Sequence, residues 1–145
     1  MKVPRPFLAL VTVSLLIGCA GSEAKTHSLD GSVLIFHERN FTKSGTSCQG
    51  TGGLFDLIPG SPVRITPKGK DPIITRLGTG AISPEGNCRL RFTPTIPEAS
   101  SYLFEIGGRL PITRPKSHID NSNGSRDGWW VTFDWDSNDN PVPRP

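Results

Sequence analysis

No stretch of this chain after residue 32 sustains a helical hydrophobic period, and this excludes most folds. From Val33 onward, apolar residues alternate with polar ones or form short runs that Gly, Pro, Asn and Asp interrupt. The 145 residues include 16 Gly and 14 Pro, which is too many for a helical bundle and typical of short strands joined by turns. The sequence therefore predicts an all-β fold.

Seven short strands separated by turn residues predict a two-sheet β-sandwich of immunoglobulin-like or transthyretin-like type. Turns are predicted at 68–71 and at 84–87, where Gly stands among polar residues. The predicted strands are 32–37, 62–66, 73–77, 88–93, 101–106, 109–113 and 129–135.

Alternation predicts which side chains of two strands face the core. In the fourth strand Cys88, Leu90 and Phe92 share one face, while the arginines between them face water. In 101–106 apolar residues occur at both parities, so either set could face the core. In 101–106 the pattern therefore predicts a strand but not which of its faces lies toward the core.

The N-terminus has the three parts of an export signal: two basic residues, an apolar run from Phe7 to Ile17, and small residues after it. We expect the run to be helical, but it is shorter than the roughly 20 residues that span a bilayer. Leu-Ile-Gly-Cys at 16–19 resembles the bacterial lipobox, which implies cleavage after Gly18 and a diacylglyceryl group on Cys19. The alternative is an ordinary secretory signal that contains a Cys.

Lipidation would place the protein at the cell membrane on its extracytoplasmic face, or at the outer membrane if the host has one. Two acyl chains anchor a protein stably without a transmembrane helix. The predicted organisation is a signal peptide at 1–18, a flexible tether at 19–32, a β-sandwich at 33–135 and a mobile Asn-, Asp- and Pro-rich tail at 136–145.

Three cysteines in an exported chain leave one thiol unpaired unless another modification uses it. Lipidation would use Cys19, leaving Cys48 and Cys88 as the possible disulfide in an oxidising compartment. The alternative is a pair of reactive thiols, although the two lack the CxxC spacing and basic flanks that lower a thiol pKa.

Charge and motif content argue against several function classes. The chain has 16 basic and 13 acidic residues, and its signal contains two of the basic ones, so the mature protein is close to neutral and no nucleic-acid partner is expected. His27, His37 and His118 stand at no metal-ligand spacing. No nucleophile elbow or phosphate loop is present. We expect no enzyme, no cofactor and no metal site.

An acidic segment at the end of the last strand is a weak calcium candidate. Asp134, Asp136 and Asn138 offer oxygen ligands at alternating positions, as a calcium loop begins. Asn140 stands where such a loop needs Gly, and Pro145 stands where it needs Glu. Turn chemistry at an exposed strand end also explains these residues.

Three tryptophans lie within seven residues of the last strand. Trp129 and Trp135 point to one face of an extended strand and Trp130 to the other. We expect Trp130 to pack in the core and the other two to lie partly exposed at the surface. The candidate binding surface then consists of Trp129, Trp135, Arg109 and Arg126, because Trp and Arg are enriched at binding hot spots.

The order of several motifs resembles that of a known group of proteins. Cys-Gln-Gly-Thr-Gly-Gly at 48–53, Asp56, Gly-Ser-Pro-Val-Arg-Ile at 60–65, then Cys88 and a late tryptophan strand are similar to small actinobacterial extracytoplasmic domains, often lipoproteins. The resemblance covers roughly 32–135 and departs in the Asp- and Asn-rich insertion before Trp129 and in the Pro-rich end. It implies a disulfide-bridged β-domain outside the membrane and carries no established activity.

The function expected from the sequence is that of a surface lipoprotein with a non-catalytic binding domain in the bacterial cell envelope. Its partners would be the lipid bilayer, through acylated Cys19, and an envelope protein, which we favour over a glycan or a lipid ligand. The alternatives are a structural or accessory subunit of an envelope complex, or an enzyme with a dispersed site.

Overall fold

The computed structural model describes residues 24–120 and 128–135. Several predicted features lie outside the described residues. They are the signal with its Gly18–Cys19 cleavage site, Arg126, and the tail at 136–145, which includes Asp136 and Asn138. The described chain is all-β, with three short 3₁₀ turns at Glu38–Asn40, Gly52–Leu54 and Lys116–His118. The predicted fold class is confirmed.

Eleven strands form the fold of residues 24–120 and 128–135. They are β1 (Thr26–Ile35), β2 (Phe41–Ser44), β3 (Ser47–Gly50), β4 (Pro62–Pro67), β5 (Ile73–Arg76), β6 (Gly80–Ile82), β7 (Cys88–Phe92), β8 (Thr95–Pro97), β9 (Ser101–Ile106), β10 (Ile112–Pro115) and β11 (Trp129–Trp135).

The larger sheet has the order β11-β1-β7-β6-β3-β2, and β8 also pairs with β1. Strand β1 organises this sheet because it is long enough to hold three partners. Its first three residues pair with β8, its last five pair antiparallel with β7, and its last seven pair in parallel with β11. The last strand of the described chain is thereby fixed beside the first.

The smaller sheet is antiparallel, with the order β10-β9-β4-β5. The predicted turn at 68–71 joins β4 to β5, with Gly69 at φ 73°. The predicted turn at 84–87 joins β6 to β7 in the other sheet, with Gly86 at φ 83°. Both positions have a backbone conformation that only Gly adopts without strain, and both turn predictions are confirmed.

The core lies between the two sheets. Cys88, Leu90 and Phe92 are buried and the arginines between them are exposed, as predicted. In β9, where the sequence allowed either face to be buried, the core-facing residues are Tyr102, Phe104 and Ile106, which are at most 1% exposed. Phe104 meets Phe133 of the facing sheet with ring centroids 5.0 Å apart, and this contact fixes the orientation of both strands.

Strand bounds differ most from the prediction in β1 and β10, and four strands were not predicted. β1 begins at Thr26, so residues 26–32 of the predicted tether are part of the sheet. β10 spans Ile112–Pro115 rather than 109–113, since the Gly107–Gly108 turn and Pro111, which lacks an N–H, delay its start. Strands β2, β3, β6 and β8 were not predicted, because they have three or four residues each and little alternation.

Candidate functional site

The tryptophans of β11 are oriented opposite to the prediction. Trp129 is 8% exposed and Trp135 1% exposed, and both contribute to the core. Trp130 points to the outer face of the larger sheet and is only partly buried. The predicted exposure of Trp129 and Trp135 is therefore wrong, because these two share their face with the core residues Val131 and Phe133.

At one end of β11, which we call the Trp135 end, Arg109 is held under the surface. Its side chain is only 5% exposed, and its guanidinium carbon lies 6.0 Å from the centroid of the Trp135 ring. Its Nη2 forms an ion pair with Asp56 and donates a hydrogen bond of 2.6 Å to the carbonyl of Gly53. Arg109 thus joins the loop after β9 to the loop that contains Asp56.

The second oxygen of Asp56 completes this connection. Oδ2 accepts a hydrogen bond of 3.2 Å from the backbone N–H of Gly108. Gly107, at φ 59°, leaves no room for a side chain, since a Cβ there would lie 2.7 Å from the same oxygen. The carboxylate of Asp56 therefore binds the turn at 107–109 through both of its oxygens.

Two large apolar side chains flank this ion pair on the surface. Phe55 precedes Asp56 and is 72% exposed, and Leu110 follows Arg109 and is 84% exposed. We call Phe55 and Leu110 the apolar tip. The connection between Arg109 and Asp56 holds the two loops together, so both residues of the tip are presented at the same end of the sandwich.

The opposite end of β11, the Trp129 end, has a more open arrangement. The ring of His27 stacks on Trp129 with centroids 3.9 Å apart, and Lys116 Nζ lies 5.8 Å from the Trp129 centroid. The carboxylate of Glu98 accepts hydrogen bonds from Lys116 at 2.6 Å and from His27 at 3.4 Å. Lys25 Nζ lies 3.8 Å from Oε2 of the same carboxylate. The hydrogen bond from Lys116, reinforced by that from His27, lowers the pKa of Glu98 to about 2.

Cys48 and Cys88 form the predicted disulfide, with their Cα atoms 5.8 Å apart. The bond connects β3 to β7, and both residues are buried in the core. Cys88 stands opposite Ile35, which itself stands opposite Trp135. The disulfide therefore reinforces the sheet at the Trp135 end, by about 3–4 kcal/mol in the chain-entropy account.

Of the predicted binding surface, the structure brings together only Arg109 and Trp135, and it buries both. Trp129 lies at the other end of β11, and Arg126 is outside the described residues. Sequence reasoning missed the apolar tip. A signal for it was present, because Phe55 and Leu110 are large apolar residues within turn segments rich in Gly and Pro.

The weak calcium candidate is only partly described. Asp134 lies in β11 and is 4% exposed, so it is not part of an open loop. Asp136 and Asn138 are outside the described residues. Within residues 24–120 and 128–135, no group of three or more His, Cys, Asp or Glu side chains is placed to hold a metal ion.

Among the described residues, no helix has the length and apolar character needed to cross a membrane. Comparison with protein-family models, with curated proteins and with solved structures finds no match to this chain.

Proposed function

We propose that this protein is a lipid-anchored, non-catalytic binding domain of the bacterial cell envelope that holds a protein partner through the apolar tip. The observation that carries the proposal is the exposure of Phe55 and Leu110 beside a buried ion pair. Exposed single apolar residues are common, but two of this size on loops fixed by a buried Arg and a partly buried Asp are arranged as interface anchors are.

The energetics favour a protein partner. Burying each of these side chains in an apolar pocket would contribute roughly 1.5–3 kcal/mol to binding. The connection between Arg109 and Asp56 already orders the loops, so the conformational entropy lost on binding is small. The resemblance to extracytoplasmic lipoproteins agrees with an envelope protein as the partner.

The apolar tip and the predicted lipid anchor at Cys19 belong to opposite ends of the sandwich. Cys19 precedes Lys25 by six residues, and a chain of that length reaches at most about 20 Å. The carbonyl of Lys25 accepts the N–H of Glu98, so the chain enters the sandwich at the Trp129 end. The apolar tip is at the other end of β11, about 20 Å away. A lipid on Cys19 would therefore leave the tip facing away from the membrane.

The shifted pKa values of Glu98 and Tyr102 favour a domain without catalysis. The pKa of Glu98 is lowered by its hydrogen bonds with Lys116 and His27, in an ion pair that covers Trp129. The pKa of Tyr102 is raised by burial, and its hydroxyl donates to the carbonyl of Pro97 and accepts the N–H of Ala99. Both shifts arise from contacts within the fold itself.

The test is in-cell crosslinking of the tagged full chain at native abundance, followed by mass spectrometry. The variants are Cys19→Ala, which removes the anchor, and the double variant Phe55→Ser with Leu110→Ser, which removes the tip. Ile74→Ser is the matched control, because Ile74 is 65% exposed and lies in β5 of the smaller sheet, outside the two loops that carry the tip.

The expected result is one envelope protein that crosslinks to the wild type and to Ile74→Ser, and that is lost from the double tip variant. Cys19→Ala should lose it as well, while its purified form still binds the isolated partner. A partner retained by the double tip variant would refute the tip as the binding surface. An unprocessed chain without lipid in the wild type would refute the anchor.

A further inference from the structure

A cavity of about 230 Å³ lies on the outer face of the larger sheet, apart from the apolar tip. Three neighbouring strands, β11, β1 and β7, form its floor, and their alternating residues point into it. Its volume is below the roughly 300–1,000 Å³ of pockets that enclose drug-sized ligands, so it fits one ring and its substituents. The cavity is lined by Asp30, Ser32, Arg89, Arg91, Trp130 and Thr132.

Trp130 gives this polar face an apolar surface. It is the tryptophan of β11 that points away from the core, and it stands directly opposite Asp30 on β1. An indole ring in the lining of such a cavity can stack on the C–H face of a sugar ring, while the polar side chains beside it meet the sugar hydroxyls.

A row of polar side chains crosses the centre of the cavity. Thr132, Ser32 and Arg91 stand opposite one another on the three strands. The hydroxyls of Ser32 and Thr132 are 3.2 Å apart and hydrogen-bond each other. Each hydroxyl oxygen has two lone pairs and one proton, so the pair can still exchange hydrogen bonds with a ligand hydroxyl.

The two arginines of the cavity differ in their charge balance. Arg91 is neutralised by Asp30 through two contacts, Nη2 to Oδ2 at 2.7 Å and Nε to Oδ1 at 3.3 Å. Arg89, two residues away on the same face, is exposed and pairs with no carboxylate among residues 24–120 and 128–135. The cavity therefore has an excess positive charge, carried by a planar guanidinium that suits a carboxylate.

We propose that this cavity binds an acidic saccharide, with Trp130 stacked on the sugar ring, Arg89 paired with its carboxylate, and Ser32 and Thr132 bonded to its hydroxyls. This goes beyond the protein-binding role of the apolar tip, and it uses a different face of the sandwich.

The test is binding of the purified full chain to an array of uronic-acid and sialic-acid oligosaccharides, printed beside the same compounds with their carboxyl groups reduced. We expect binding to acidic members and a loss of at least about tenfold on carboxyl reduction, the effect of one charge-assisted contact. Arg89→Gln should cause the same loss without a change in thermal stability. Trp130→Ala should reduce binding to background.

Two controls separate this proposal from others. Arg64→Gln removes an exposed arginine from the smaller sheet and should leave saccharide binding unchanged. The double tip variant, Phe55→Ser with Leu110→Ser, should also retain it, so the two proposals can fail separately. Equal binding of acetate or of a dipeptide carboxylate would show a carboxylate site without sugar recognition and would overturn the proposal. Absence of binding to every acidic saccharide would also overturn it.

Discussion

The two ends of β11 are built from the same parts but differ in burial. At each end a tryptophan contacts a cation, and that cation is paired with a carboxylate. At the Trp135 end, Arg109 is 5% exposed and pairs with Asp56. At the Trp129 end, the side chains of Lys116 and Glu98 are 37% and 34% exposed. Burial determines what each ion pair can do.

The buried pair positions loops, whereas the exposed pair adds little to stability. The side chains of Arg109 and Asp56 are 5% and 19% exposed, so separating them would leave the guanidinium with little water around it, and this favours one arrangement of the Trp135 end. Water and salt screen the pair at the Trp129 end, whose members can separate and resolvate. The apolar tip is on the Trp135 end, where the backbone that carries it is fixed.

The largest expected effect compares the two tryptophans themselves. Trp135→Ala should lower the free energy of unfolding by about 3–5 kcal/mol, because the ring is 1% exposed and its removal leaves a cavity. Trp129→Ala should cost less, since His27 and Lys116 border the ring and can move into the space. Urea denaturation of both variants measures the difference. An equal loss would contradict the contrast between the two ends.

The orientation of these tryptophans could have been predicted from the sequence. Trp129, Val131, Phe133 and Trp135 form a wholly apolar parity, whereas Thr132 and Asp134 interrupt the other. Weighing the whole strand rather than the three tryptophans assigns the first set to the core. The prediction was wrong because it placed Trp130 in the core without counting its neighbours.

Other parts of the fold depend on tertiary pairing and leave little trace in the sequence. Strands β2 and β3 are polar, and β3 is held by its pairing with β6 and by the disulfide to β7. In β10, the start is set by Pro111 and by the preceding turn rather than by alternation. By contrast β4, β7 and β11 alternate clearly, and their predicted bounds, like those of β9, differ from the structure by at most one residue.

The sequence could mark the residues of the apolar tip but not their arrangement, for a physical reason. Asp56 and Arg109 are 53 residues apart, and only the folded chain brings them together. Composition can mark Phe55 and Leu110 as unusual in turns, but it cannot show that one ion pair holds both loops. Contacts between loops follow from topology, and local patterns contain no information about them.

Breaking the ion pair between Arg109 and Asp56 should change the free energy of unfolding by an intermediate amount. Asp56→Ala should lower the free energy of unfolding by about 2–3 kcal/mol, because Arg109 keeps its charge in a site with little water. Amide exchange should rise in the turn at 107–109 and leave the Trp129 end unchanged. Asp30→Ala is the matched control, since it breaks an exposed pair with Arg91. Equal losses in the two variants would mean that burial is not what distinguishes the ion pair.

The smallest effect concerns the exposed pair and depends on pH. The pKa of Glu98 is about 2 in the folded protein against an ordinary value of 4.5, so its ionised form is favoured by folding. The resulting stability is fully present above pH 4.5 and is lost as the pH falls from 4.5 to about 2. Glu98→Gln should therefore be less stable than the wild type at neutral pH, and the difference should disappear near pH 2.

Thermal melting of both proteins from pH 7 to pH 2 measures this convergence, and added salt should reduce the difference at neutral pH. Glu105→Gln, at an exposed carboxylate on the smaller sheet, is the control for general loss of charge. If the wild type and Glu98→Gln remained equally far apart at pH 2, the stabilisation would come from packing over Trp129 rather than from charge. The two ends of β11 would then differ less than their exposure implies.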